Sequence, residues 1–211
     1  SDLSGSLSEP DWWNDSSDAS AAAGALAAAD GYWTKAIGAP DRREELERMV
    51  RTSDGGYVVF AKTFTTEDWL FKIDEKGALV WQKNIFAVRS GYINSIAESP
   101  DGGLYVSGNY SNPDTDSYSY SDFLAKLDEA GNTLWSKSFN VLNSMTFTQP
   151  MAVLDDGSVV VAGYVDADNS DYRDFDVAIM KAGPAGELVW VKKLAGSGAV
   201  TDSAQDMAVT A

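Results

Sequence analysis

Trp33, Trp81, Trp135 and Trp190 stand 48, 54 and 55 residues apart, and the residues around them recur with them. A period of that size means one supersecondary unit copied along the chain, each copy burying its apolar face against its neighbours. The clearest copy spans 101–135. It reads Asp101-Gly102-Gly103-Leu104-Tyr105-Val106-Ser107-Gly108, an acidic connection, Asp122-Phe123-Leu124-Ala125-Lys126-Leu127-Asp128, a glycine turn, then Thr133-Leu134-Trp135.

Each unit holds four segments, a to d. Segment a carries Met49, Ile96, Met151 and Met207 at matching places and ends at Asp54-Gly55, Asp101-Gly102 or Asp156-Gly157, the dipeptide that most favours a tight hairpin. In segment b, Val58/Phe60, Leu104/Val106 and Val159/Val161 alternate with the period of two that a strand requires. Segment c opens on Asp68-Trp69, Asp122-Phe123 and Asp174-Phe175, and its inward alternation continues through Phe71 and Ile73, Ala125 and Leu127, Val177 and Ile179. The three aspartates recur at one place per unit, which marks them as caps of strand c rather than as a catalytic set. A turn with Gly77, Gly131 or Gly186 follows, where a positive φ suits glycine, and segment d ends the unit on its tryptophan. Four antiparallel strands in a repeated meander predict an all-β chain, a β-propeller of four-stranded blades.

The two ends read as halves of one unit. Gln205-Asp206-Met207-Ala208-Val209 copies Gln149-Pro150-Met151-Ala152-Val153, a segment a. Leu3-Ser4-Gly5-Ser6-Leu7 stands as segment b, Asp11-Trp12-Trp13 as the start of c, and Tyr32-Trp33 as d. The domain thus comprises units 204–211 plus 1–38, 44–86, 91–140 and 147–196, with one blade divided between the termini. Residues 16–30 form an Ala-rich insertion whose run 19–29, interrupted by Gly24, favours a short helix by propensity. In 41–51 an acidic-basic helical pattern competes with the repeat, which puts strand a from about Leu46. The ring can close within one molecule, segment a of one molecule can complete the next into a swapped ring or filament, or the chain is a piece of a longer array.

Composition bounds the function. The 211 residues are 44% hydrophobic, enough for a sizeable core, and 32 acidic against 16 basic residues give a net charge of −16. That charge repels nucleic-acid phosphates and anionic headgroups and favours cations or basic partners. There is no Cys and no His, so thiol nucleophiles, imidazole bases and the usual zinc ligands are absent. No apolar run reaches the roughly 18 to 20 residues of a membrane-spanning helix. A Cys-free, acidic chain rich in Asp, Ser, Gly and Tyr suits an exported bacterial protein, extracellular, at the cell surface or in the periplasm.

Residues 72–81 (Lys-Ile-Asp-Glu-Lys-Gly-Ala-Leu-Val-Trp) and 126–135 (Lys-Leu-Asp-Glu-Ala-Gly-Asn-Thr-Leu-Trp) resemble the tryptophan-docking repeat of quinoprotein-like bacterial β-propellers. The resemblance implies the fold, with Trp33, Trp81, Trp135 and Trp190 wedged between blades and Gly77, Gly131 and Gly186 in the c-d turns. It implies no quinone-dependent oxidation, because the cofactor residues of that family's enzymes are not found here and the Thr that precedes its Gly is missing. Sialidase-type propellers place Asp two residues before Gly; here the gap is three, as in Asp74 to Gly77, which counts against a glycosidase.

In a propeller the long b-c and d-a connections gather on one face, where function on a rigid scaffold usually sits. Asp166, Asp168, Ser170 and Asp171 place oxygens as the start of a calcium loop does, and Asp114 and Asp116 make a looser version. The later Gly and bidentate Glu of a helix-loop-helix site are missing, and the plain alternative is a solvated acidic loop whose Asp and Asn satisfy turn backbone. Tyr118 and Tyr120, alternating with Ser, have the composition of a protein-recognition surface or of an edge packed on the next blade; Arg89 and Tyr172 share that face. Three function readings follow. The chain is a non-catalytic interaction or self-assembly module, a calcium-assisted module for carbohydrate or a basic protein partner, or a fragment of a larger propeller enzyme. No acid pair stands out for a two-carboxylate mechanism.

Overall fold

The computed structural model describes residues 13–14, 24–26, 34–37, 43–63, 68–85, 91–111, 120–139, 146–166, 175–194 and 202–209. Three four-stranded antiparallel meanders dominate it. The first runs β4 (Glu45–Arg51), β5 (Tyr57–Lys62), β6 (Asp68–Ile73), β7 (Leu79–Ile85). The second is β8 (Gly91–Glu98), β9 (Leu104–Ser111), β10 (Tyr120–Leu127), β11 (Thr133–Lys137), and the third β12 (Thr146–Val153), β13 (Val159–Asp166), β14 (Phe175–Ala182), β15 (Leu188–Leu194). The all-β repeat expected from the Trp spacing is therefore present in these three units.

The turns form as the Asp-Gly and Gly signals require. In the first of these meanders Gly55 N–H donates to Thr52 O (3.0 Å) and Thr52 N–H to Gly56 O (2.9 Å), with Gly55 at φ 87°. Asp54 Oδ1 accepts from Gly56 N–H (3.0 Å), the Asx closure that makes Asp the favoured partner there. The c-d hairpin of each of these three meanders shifts register at one place, between Lys72 and Ile73, Lys126 and Leu127, and Lys181 and Ala182. Each a-b ladder is irregular too, at Leu46/Arg48, Ile93/Ser95 and Phe147/Met151. Bulges repeated in every copy bend the sheets alike.

The first strands lie side by side, β4 against β8 and β8 against β12, and the sheets stack face to face. Val58, Phe60 and Leu70 of the first sheet interdigitate with Leu104, Val106, Phe123, Ala125 and Leu127 of the second. Tyr105 and Leu124, on the other face of the second sheet, pack with Val159, Val161, Ala178 and Met180 of the third. The remaining face of the first sheet, with Val59, Trp69 and Phe71, packs with Ile37.

Several expectations are corrected. Segment c of the last unit is shifted: Gly163 pairs with Ala178 and Val161 with Met180, as Gly108 pairs with Phe123 and Val106 with Ala125. The buried residues are thus Ala178, Met180 and Ala182, all 0% exposed, while Val177 and Ile179 point to the opposite face. Asp174-Phe175 copies Asp122-Phe123 in composition only, and a shift by an odd number of residues reverses every side chain. The Ala-rich run does not form one helix over 19–29, because β2 (Gly24–Leu26) pairs antiparallel with β3 (Thr34–Ala36) inside it. Strand pairing overrides alanine propensity, and 24–26, rather than the segment c expected to start at 11–13, pairs with 34–36. Trp13 is not in that segment: β1 (Trp13–Asn14) adds to the outer edge of β7, with Trp13 opposite Ile85 and Asn14 opposite Asn84. An outer strand offers unpaired N–H and C=O groups that such a segment satisfies. Finally, 202–209 carries no strand, although 205–209 copies a segment a; Leu3 to Leu7 lie outside the described residues.

Candidate functional site

Three side chains in register cross each sheet from b to d: Val58, Lys72 and Trp81; Tyr105, Lys126 and Trp135; Val160, Lys181 and Trp190. Residues opposite one another on adjacent strands share a face, so the first two rows look toward the sheet that follows. There the tryptophan docks. Trp81 Nε1 donates to Glu129 O (2.9 Å) and Trp135 Nε1 to Pro184 O (2.9 Å), both carbonyls in the next unit's c-d turn. A Cβ built on Gly131 would meet the Trp81 ring at 3.1 Å, and one on Gly186 the Trp135 ring at 3.1 Å. These glycines serve twice, for their φ of 79° and 76° and for the space the indole occupies. Trp33 lies outside the described residues.

The lysine of each row reaches back to the aspartate of its own a-b turn. Lys72 Nζ is 2.7 Å from Asp54 Oδ2, Lys126 contacts Asp101, and Lys181 is 3.4 Å from Asp156. The Lys72 and Lys126 ammonium groups hold the Asp54 and Asp101 carboxyls well below the usual carboxylate range. Asp156 is lowered first by its Ser158 hydrogen bonds and then by Lys181. Burial pushes the Tyr105 hydroxyl up to about 12, with Asp101, Glu187 and Asp156 adding to the effect; its O–H donates to Gly157 O (2.7 Å).

The rows are not equally covered. Val58 and Tyr105 are fully buried, as are Leu70 and Leu124 beside them, whereas Val160 and Ile179 at the matching positions are half-buried. At the opposite end of the stack, Leu46 and Met49 on β4 are 62% and 57% exposed, while Ile96 and Met151, at the place of Met49, pack partly buried against the preceding sheet. Segment 202–209 is held to the third sheet by Asp202 N–H donating to Phe175 O (2.7 Å), and its Val209 is exposed.

Among the first strands, Arg48 binds two bulges together. Its Nε donates to Asn94 O (2.8 Å) and its Nη1 to Glu47 O (2.6 Å), and Glu47 and Asn94 are the extra residues of the β4 and β8 irregularities. The acidic-basic pattern at 41–51 thus supplies a link between inner strands rather than a helix face.

On the b-c side, Asp68 Oδ1 accepts from Thr63 N–H (3.0 Å) and Oδ2 from Lys62 Nζ (3.1 Å), while Lys62 also donates to Gly91 O (3.0 Å) and lies 4.2 Å from the Tyr92 ring centroid. The first of the three recurring aspartates therefore closes its b-c connection, as a cap does. Of the binding candidates, Arg89, Tyr118 and Tyr172 lie outside the described residues, and Tyr120 is placed by backbone alone as the first residue of β10, opposite Ser111. Asp114, Asp116, Asp168, Ser170 and Asp171 also lie outside them, and Asp166 ends β13 opposite Phe175. Among the described residues no group of three or more acidic side chains converges as metal ligands would. The Trp190 face and the exposed β4 residues were not singled out from the sequence, which marks the tryptophans but not which of them has no following four-stranded sheet among the described residues.

No family model matches the chain. A WD repeat-containing protein of Acanthamoeba polyphaga mimivirus is 32% identical over 116 residues, covering 48% of this chain and 8% of that protein. Among solved structures, a eukaryotic initiation factor superposes with a TM-score of 0.47 at 13% identity, covering 72% of this chain and 33% of that one. A protein of unknown function from Bacteroides caccae superposes with a TM-score of 0.31 at 10% identity, covering 76% and 70%. The chain thus spans a small part of the length of the relative it matches in sequence, and the likeness to a WD-repeat protein agrees with the propeller-like stacking of four-stranded sheets.

Proposed function

We propose that the chain is a non-catalytic, exported repeat scaffold that binds protein and assembles with itself, segment 202–209 of one molecule supplying the inner strand of the divided first unit of another. The observation that carries this is the bare flank of β4. Leu46 and Met49 stand exposed where β8 and β12 have a neighbouring inner strand, and a strand-like copy of 149–153 lies unladdered at the other end of the chain. An extended segment laid beside β4 packs as β8 and β12 do, side by side without a shared ladder, and gains its main-chain hydrogen bonds from the unit it completes. The WD-repeat likeness supports a role in protein interaction, and the net charge of −16 favours basic partners.

Light scattering over a concentration series tests the assembly. The expected mass rises above that of one chain with concentration, and removal of 202–211 returns it to one chain. A mass that stays at one chain throughout overturns the reading.

A further inference from the structure

We infer that the far face of the third sheet, centred on Trp190, is a second half of that contact and takes the first unit of a second copy of this chain. The inference rests on the self-assembly reading and adds the docking surface to it. The argument is continuity of an interface seen twice. Val58-Lys72-Trp81 packs on the second sheet and Tyr105-Lys126-Trp135 on the third, each with its indole N–H on a turn carbonyl 48 or 49 residues further on. Val160-Lys181-Trp190 repeats the row in the same register, and no further four-stranded sheet follows it among the described residues. The side chains report this: Lys72 and Lys126 are 11% and 8% exposed, Lys181 is 20%, and Ile179 is half-buried where Leu70 and Leu124 are sealed.

The exposed Leu46 and Met49 and the half-buried Val160, Ile179 and Trp190, at opposite ends of the described stack, make a heterologous pair. The occupant must present the side of a unit that precedes a sheet, as the first unit does. Within the single chain the described part of that unit, β2–β3, makes no extensive contact with the third sheet, and Ile37 after β3 packs instead on the first sheet. Placing 202–209 of one copy beside β4 of the next also brings Trp190 of the first copy onto the first unit of the second, so one motion covers Leu46, Met49, Val160, Ile179 and Trp190. A tryptophan at the centre of such a patch carries a large share of the affinity.

The test uses the full chain and two variants, Trp190→Ala and Ile179→Lys, with Trp135→Ala as a comparison for an interface buried inside the chain. The dissociation constant is read by light scattering and the fold by cooperative thermal melting. Expected: the wild type assembles, both far-face variants weaken assembly at least about tenfold while Ile179→Lys melts as the wild type does, and Trp135→Ala lowers the melting temperature instead. If the wild type assembles and both variants assemble equally well, the Trp190 face is overturned and the strand-completion reading stands. A wild type that stays a single chain overturns both, including the case where Trp190→Ala lowers its melting temperature as Trp135→Ala does, which means closure within one chain.

Discussion

At the scale of single residues, the tryptophan and the glycine opposite it form one device. The indole fills the space a side chain would need at Gly131, so Gly131→Ala must both hold a left-handed conformation, at about 1–2 kcal/mol, and displace the Trp81 ring at 3.1 Å. Urea unfolding should show a loss larger than the conformational cost alone. Arg48 is the second sensitive point: Arg48→Met leaves the bulge carbonyls of Glu47 and Asn94 without that donor, and a loss of about 1–3 kcal/mol is expected in the same measurement. The turn aspartates set the pH response. Because Asp54, Asp101 and Asp156 titrate below the ordinary aspartate value of about 3.9 in the folded chain, the stabilisation they contribute is present above that value and drains away as pH falls through it toward their folded values. The melting temperature should therefore fall with acidification below about pH 4, and Asp54→Asn should flatten that fall.

At the scale of elements, the strands show where pattern reading succeeds and where it slips. The Asp-Gly and Gly turns, the strands of the first two full units and the start of β4 were legible, because turn chemistry and period-two alternation act locally. Segment c of the last unit was misread because its Asp174-Phe175 pair imitates Asp122-Phe123, and the variable b-c connection gives no ruler. The ruler was downstream: Lys72, Lys126 and Lys181 each stand five residues before their turn glycine, and counting back from the glycine sets the register. Met180→Ala should then cost about 2–5 kcal/mol, as a fully buried side chain does, and Ile179→Ala distinctly less; the reverse order in chemical denaturation would restore the abandoned register. The Ala-rich run was misread for a different reason. Helix propensity amounts to tenths of a kcal/mol per residue, and a hairpin partner at 34–36 outweighs it.

At the scale of the whole molecule, the three described four-stranded sheets stack so that Trp81 and Trp135 each lock onto a turn one unit ahead, and that direction makes the two ends of the described stack unlike. One end of the described stack exposes Leu46 and Met49, and the other carries the half-buried Val160, Ile179 and Trp190. Mixing a truncated chain lacking 202–211 with wild type should cap growing assemblies, since the truncated copy keeps a first unit to receive a strand but has none to give; the mean mass in light scattering should fall as its share rises. Read alone, the sequence determined the repeat, its hairpins and the all-β class, since period, Asp-Gly turns and alternation are local and recur in every unit. Only the tertiary structure decided which face of β14 is buried, that β1 joins β7, and which turn carbonyls Trp81 and Trp135 meet, because each depends on which backbones come to lie side by side, and identical ladders are available to several pairings.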